Sequence, residues 1–398
     1  MGLAPGEVER LVATRRDLHA HPELSWEERR TAQVVSERLR AAGYEPRVVC
    51  GTGVVADLQG GAGPGRTVLL RADMDALPVR EESQASWRSS VPGVMHACGH
   101  DGHTAALLCA AERLIARRDA LRGRVRLCFQ PAEEGRGGAR SLLEAGVLEG
   151  VERAFALHLW NDLPTGTIAC REGPVWAACD VFEVTIHGRG GHGGMPDQAR
   201  DPVLAAAHVV TALQSLVARE TSPLDAAVVT VGQLSAGETW NVIPDTARLR
   251  GTCRAFDPAT HRALPERLGR LVRGVAEGLG CRAELEYRVI CPPTVNDPAM
   301  AALCRAAAAR ALPALRVLSE GPHTRAMVGE DFAYFLERVP GALLLVGSRD
   351  EARGLVHPHH SPRFDFDEGA LPIAARLLEE VAVAALGDGG LAAGGSES

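Results

Sequence analysis

The stretch MHACGHDGHTA, Met95 to Ala105, sets five potential metal ligands, His96, Cys98, His100, Asp101 and His103, within eight residues and separates them by small residues. Nothing else in the chain is so dense in chemistry. Gly99 and Gly102 allow the tight turning through which side chains two apart converge on one point, which a regular helix does not permit. From Thr104 the sequence carries Leu107, Leu108, Ala111, Leu114 and Ile115 at helical period, so the pattern predicts a turn feeding a helix N-terminus. A lone histidine here would read as a helix cap and a lone cysteine as core. The density points instead to a metal or catalytic centre.

The flanking segments supply partners. Glu7 to Leu18 reads as a helix, and Ser25-Trp26-Glu27-Glu28 as a capping box opening a second, with Ala32, Val35 and Leu39 on its apolar face. His19 and His21, in the connection, read as structural. The strands GVVADLQ and TVLLRADMD are joined by a glycine-rich turn, and the second ends in Asp73 and Asp75, spaced to face one side. Arg124 to Gln130 reads as a strand running into Pro131-Ala132-Glu133-Glu134-Gly135, and RAFALHLW as a strand carrying His158. The glutamate pair and His158 are thus expected at or near strand C-termini, where α/β sheets bind ligands. With one of His357, His359 or His360, the candidate ligands are Cys98, His100, Glu134 and His158, a mixed S, N and O set that suits zinc, manganese, cobalt or nickel. Five ligands exceed what one open catalytic ion uses, whereas two ions sharing a ligand would use them all. The side chains of Glu133 and Glu134 diverge, so one can ligate while the other serves as general base.

A chain of 398 residues exceeds one hydrophobic core, which predicts two domains. From about Cys179 to Ile290 the strands alternate apolar with polar and the order reads β-α-β-β-α-β, a ferredoxin-like arrangement. Because α/β patterns resume beyond Pro293, the expected architecture is α/β. Residues 1–178 and 291–398 form a catalytic domain with a mixed sheet flanked by helices, and 179–290 an inserted ferredoxin-like α+β lid or dimerisation domain. The glycine-rich end, Gly387 to Ser398, reads as disordered. A net charge of -7 gives no sign of nucleic-acid or anionic-membrane binding, and no apolar run reads as membrane-spanning. The charged N-terminus and ten singly placed cysteines without a CxxC pair lead to a cytoplasmic expectation. All 43 basic residues are arginine, which excludes chemistry that needs a lysine amine, such as a Schiff base or a Walker phosphate loop.

Taken in order, RRDLHAHPELSWEE, LLRADMDALP, MHACGHDGHTA, QPAEEG, ALHLW, GRGGHGGMPD, GEDFAYF and HHSPRFDFDE resemble the peptidase M20 type dinuclear metallo-amidohydrolases, over essentially the full chain. That group includes hippurate hydrolase, N-acyl-amino-acid amidohydrolases and plant auxin-conjugate hydrolases. The resemblance implies two divalent metal ions (Mn, Zn, Co or Ni) held by Cys98, His100, Glu134, His158 and His360, with Glu133 as general base. Asp73-Met74-Asp75 stands where the wider family often has HxD, which makes Asp75 a support and not a ligand. The resemblance further implies that His192 stabilises the oxyanion, and that Asn241, Arg254 and backbone amides at Gly329-Glu330-Asp331, where a helix begins, hold a substrate carboxylate. The implied reaction is hydrolysis of an N-acyl or N-aryl-acyl amino acid, a small-molecule substrate, to a carboxylic acid and a free amino acid. A homodimer or higher homo-oligomer built through the inserted domain is also implied, with His192 acting in its own subunit or across to the next.

Three rival readings stand beside this one. A carboxypeptidase or dipeptidase of the same family would use the same ligands. A Cys98 nucleophile with His100 or His103 as its base leaves Glu133, Glu134, His158 and His360 without roles. A non-catalytic peptide- or metal-binding protein would need ligands but no base, and Glu133 argues against it.

Overall fold

A computed structural model describes residues 2–387, so the tail that reads as disordered lies, from residue 388, outside the described residues. Chain contacts divide the protein into two compact units. One takes the chain up to Val175, then Val295–Arg325 and the chain from Asp331 on. The other takes Trp176–Thr294 together with Ala326–Glu330, a return segment that the sequence reading leaves in the catalytic domain.

The first unit is built on an eight-stranded mixed sheet. Across the sheet the strands run Arg47–Val49, Gly53–Gln59, Arg124–Gln130, Thr67–Asp73, Arg153–Pro164, Gly341–Arg349, Thr167–Ala169 and Arg316–Leu318. The middle four pair in parallel. Their sequences are nearly continuous apolar runs because helices cover them: all seven residues of Thr67–Asp73 are buried. One buried cluster joins this sheet to the helices, with Leu11, Val35, Leu39, Leu107, Leu108, Met300, Leu371 and Leu378 in the same core.

The helix His100–Ala116 is central to that packing, with 13 of its 17 residues buried. Gly102 shows why it can lie so close: a Cβ there would meet Leu159 at 2.6 Å and Phe366 at 2.8 Å. Contrary to the sequence reading, the helix begins at His100 and not near Thr104. Gly99, at φ 89, makes the left-handed turn that starts it, so His100, Asp101 and His103 sit in its first turn and point in different directions.

The Ser25 capping box is also corrected. The helix opens at Arg29 with no side-chain bond from its N-cap residue, Glu28, and it is Glu23 whose carboxylate accepts from the amides of Arg30 (2.9 Å) and Thr31 (2.8 Å). Ser25 instead donates to Asp75 Oδ2 at 2.7 Å.

The second unit has the order β-α-β-β-α-β, with strands Cys179–His187, Ala227–Ala236, Thr246–Ala255 and Arg282–Cys291 and helices Pro202–Glu220 and Pro258–Gly278. Its antiparallel sheet has Ala227–Ala236 at one edge, then Thr246–Ala255, Cys179–His187 and Arg282–Cys291. Asp201 and Asp257 cap the two helices, each followed by proline at the first turn. Phe182, Val184, Leu213, Leu249 and Leu268 form the core. Pro202–Glu220 is long and apolar enough to cross a membrane by length and composition, against the expectation that no run is. It packs one face into this core through Ala205, Ala206, Val209, Leu213 and Leu216.

Candidate metal centre and catalytic base

The donor atoms of Cys98, His100 and His158 lie within 4.8 Å of one another, as do those of Cys98, Glu134 and His360, and those of His100, Glu133 and Glu134. The three sets share members, so they bring six residues from four stretches of chain into one cluster. His158 lies in mid-strand and not at a strand end: Arg153–Pro164 continues for six residues past it because Gly341–Arg349 pairs alongside as far as Pro164, with Leu345 opposite His158.

Two of these histidines have one nitrogen tied away from the cluster. His100 Nδ1–H donates to the carbonyl of Asp75 (2.8 Å) and His158 Nδ1–H to that of Leu159 (2.6 Å). Both therefore present Nε2 inward, that of His158 at 3.5 Å from the Cys98 sulfur. Among the described residues His100 Nε2 is buried with no hydrogen-bond partner, and Glu134 Oε1 is buried with only the His360 imidazole facing it, at 3.3 Å. Buried polar atoms left so are costly. A soft thiolate, inward imidazole nitrogens and a carboxylate around them form the donor set that a borderline divalent cation satisfies. The residues present thus fit a metal centre.

The same geometry separates ligand candidates that spacing alone left open. His359 is stacked on Trp160, with ring centroids 4.8 Å apart, and shares a hydrogen bond with the carbonyl of Leu159. Burial pushes its pKa down to about 3. His357 accepts from the Asn161 side-chain amide on its carbonyl and is in none of these donor groups among the described residues. His360, at φ 66, donates its backbone N–H to Ala97 at 2.8 Å, and its Nε2 lies 3.3 Å from Glu134 Oε1. Of the dense motif, His103 is spent on the scaffold, donating to Asp73 Oδ1 (2.7 Å) and accepting from Leu159 N–H (2.9 Å). Asp101 pairs with Arg15 and His19. His96 is buried with neither ring nitrogen hydrogen-bonded among the described residues, and burial drives its pKa down to about 4.

Hydrogen bonds to Cys98 and Glu134 raise the His360 pKa to about 10. Burial and the charge of Glu134 push the Cys98 thiol up. Burial lowers the His100 pKa, but Asp73 and Cys98 outweigh it and hold the imidazole well above its ordinary value; burial and His103 hold His158 well below. Asp73 stays ionised against its burial because His100, Arg71 and His103 surround it.

The turn after Arg124–Gln130 carries the glutamate pair. Asp75 accepts from the backbone N–H of Glu133 on Oδ1 and of Glu134 on Oδ2, both at 3.1 Å. The Glu133 carboxylate accepts from the backbone N–H of Asp331 at 3.2 Å. That bond corrects the helix-start reading of residues 329–331: the helix begins only at Ala333, and the Asp331 amide serves Glu133. Asp331 is in turn anchored by Gln130 Nε2 (2.6 Å), Ala139 N–H (3.0 Å) and the buried Arg71 (3.2 Å). The sequence reading missed this role, and only the acidic residue inside GEDFAYF hinted at it.

In the second unit, His192 and Asn241 are brought together by a two-strand pairing in which Val242 faces His192 and Gly193 donates to the Asn241 carbonyl at 2.8 Å. Gly194 N–H donates to His192 Nδ1 at 2.9 Å, so a neutral ring carries its proton on Nε2. Arg254 donates to Thr252 Oγ1 and to the Cys253 carbonyl of its own strand. Gly329 lies where a Cβ would meet Cys179 Cβ at 2.7 Å and Cys291 Sγ at 2.9 Å, so only glycine passes there.

A profile of Peptidase family M20/M25/M40 matches residues 69–384. The chain belongs to that family. It is 42% identical to N-acetylcysteine deacetylase of Bacillus subtilis (strain 168) over 381 residues, covering 95% of this chain and 97% of the relative. It is 40% identical to IAA-amino acid hydrolase ILR1-like 4 of Arabidopsis thaliana over 377 residues, 94% of this chain and 84% of that protein. A Bacillus subtilis crystal structure described as a dinuclear metal binding peptidase from the M20 family superposes with a TM-score of 0.85 at 38% identity, covering 96% of this chain and 99% of that one. The family indicated by the eight sequence motifs is the one the profile identifies.

Proposed function

We propose that this M20 family member is a metal-dependent amidohydrolase that cleaves the amide bond of N-acyl amino acids, releasing a carboxylic acid and the free amino acid. The observation that carries the reading is the convergence of donors from Cys98, His100, His158, Glu134 and His360 beside an adjacent glutamate, Glu133, held by a backbone amide. Full-length similarity to a deacetylase of an N-acyl amino acid and to an amino-acid-conjugate hydrolase supports the substrate class.

Cys98, His100, Glu134, His158 and His360 would hold two divalent ions, which as Lewis acids lower the pKa of water to about 7 and polarise the acyl carbonyl. Glu133, oriented by the Asp331 amide, takes the proton of the attacking water and passes it to the departing nitrogen. A non-catalytic binder would have no use for a base so anchored. The Nε2–H of His192 is our assignment for the donor to the developing oxyanion, and Asn241 and Arg254, with the Gly329 segment, for the grip on the substrate carboxylate. We further assign a homodimer and a cytoplasmic location. The dimer is supported by the edge strand Ala227–Ala236 and the exposed apolar Val203, Leu204 and Leu234; the ten free cysteines accord with a reducing compartment.

The test is a panel of N-acetyl, N-benzoyl and indole-acetyl amino acids with their methyl esters and unblocked dipeptides, against metal-free protein reloaded with manganese, zinc, cobalt or nickel singly. The expected result is activity only after reloading, with N-acyl amino acids preferred to their esters and to dipeptides. Full activity in metal-free protein would overturn the metal assignment, and equal efficiency on acid and ester the carboxylate grip.

A further inference from the structure

Three consecutive backbone N–H groups at the base-bearing turn, those of Ala132, Glu133 and Glu134, are all taken by carboxylates from earlier in the chain. Such a run of amides forms a concave nest that binds anions. Here the chain fills it with its own side chains. Asp75 holds the second and third. The first belongs to Glu28, whose Oε1 accepts from Ala132 N–H at 2.9 Å and whose Oε2 accepts from Thr52 Oγ1–H at 2.6 Å. Glu28 is 0% and Thr52 4% exposed, so water does not compete for either bond.

Ala132 needs this acceptor. It is fully buried and sits at φ 54, the left-handed region, which is unfavourable for a residue with a Cβ. Its carbonyl is engaged by Gly138 N–H at 3.0 Å. Without Glu28 its N–H would be stranded in the interior, and turning the peptide to relieve both penalties would re-aim the two residues that follow. The neighbouring side chains have other tasks: Glu23 caps the helix, while Ser25 holds Asp75.

We propose that Glu28 is a positioning residue: through the Ala132 amide it fixes the left-handed turn from which Glu133 and Glu134 project. It touches neither substrate nor ion. The inference rests on the reading of Glu133 as base and Glu134 as ligand given above.

The experiment compares wild type, Glu28→Ala, Glu28→Gln and, as a structural control, Glu23→Ala, in the full chain. Three quantities are read: hydrogen exchange of the peptide spanning 131–138 in metal-free protein, affinity for manganese added alone, and kcat against KM on an N-acyl amino acid. Glu28→Ala is expected to speed exchange and to weaken manganese binding about tenfold to a hundredfold, with kcat falling and KM nearly unchanged. Glu28→Gln keeps an acceptor for the Ala132 amide and is expected to restore most of each quantity. Glu23→Ala is expected to lower the melting temperature while leaving exchange at 131–138 and manganese affinity at wild-type values. Should Glu28→Ala fail to fold, Thr52→Val, which removes only the hydroxyl that orients Glu28, carries the same expectation in milder form. Wild-type exchange and affinity in a folded Glu28→Ala, or Gln as damaging as Ala, would overturn the proposal. Exchange and metal affinity need no substrate, so an inactive wild type would sink the proposed reaction while leaving this ordering of variants to be read.

Discussion

His360 shows how one side chain sets the pH behaviour of the centre. Its pKa rises from 6.5 to about 10 through Cys98 and Glu134. A raised folded-state value means that, without metal, the contact contributes stability fully below pH ~6.5 and loses that contribution as pH climbs through about 10. A metal needs this imidazole neutral and the Cys98 thiol ionised, so loading must displace protons. Calorimetric titration of manganese at pH 7 in buffers of different ionisation heat should show net proton release, with apparent affinity rising towards alkaline pH. Binding heats independent of buffer would contradict the assignment of His360 and Cys98 as ligands. His360 was also one of three histidines that spacing could not separate. The choice depends on a Trp160 ring that occupies His359 and on a left-handed backbone at His360, neither of which a linear pattern encodes.

At the level of elements, the buried strands and the glutamate turn were legible because their apolar runs and their proline and glycine punctuation are local signals. Where each element starts was less so. The motif S-x-x-E looks the same whether its carboxylate caps the next helix or reaches a turn over a hundred residues away, as Glu28 does. The start of His100–Ala116 depends on the conformation of Gly99, and on a partner that composition does not reveal: Arg15, fully buried, bonds Asp101 in the first turn at 2.9 Å, Asp365 at 2.7 Å and Glu368 at 3.3 Å. Removing one member of a buried ion cluster typically costs about 3–5 kcal/mol, because the others stay desolvated and unpaired. Arg15→Met should therefore lower the unfolding free energy measured by urea titration by an amount of that order, and a change below about 1 kcal/mol would show the cluster to be dispensable. Arg15 and His19 hold Asp101 below the usual carboxylate range against its burial, so this contribution is present above the unfolded pKa near 3.8 and is lost only as pH falls through the depressed value.

For the whole molecule, the alternating strands of the second unit made its β-α-β-β-α-β order readable, whereas the return of Ala326–Glu330 to that unit has no sequence signature. Its edge strand bears on assembly: Leu234→Glu should shift the proposed dimer to monomer in sedimentation, and an unchanged mass would place the contact elsewhere. Mixed dimers of Glu133→Gln and His192→Ala should regain activity if His192 serves the neighbouring subunit, and no recovery from demonstrated heterodimers would confine it to its own. The central claim is the division of labour within Glu133-Glu134, proton acceptor and ligand side by side. It is tested most directly by counting bound metal and measuring turnover in Glu133→Gln and Glu134→Gln together. Glu133→Gln should keep the wild-type metal content and lose turnover by orders of magnitude, while Glu134→Gln should lose metal. Near wild-type turnover in Glu133→Gln, or loss of metal from it equal to that of Glu134→Gln, would contradict the account.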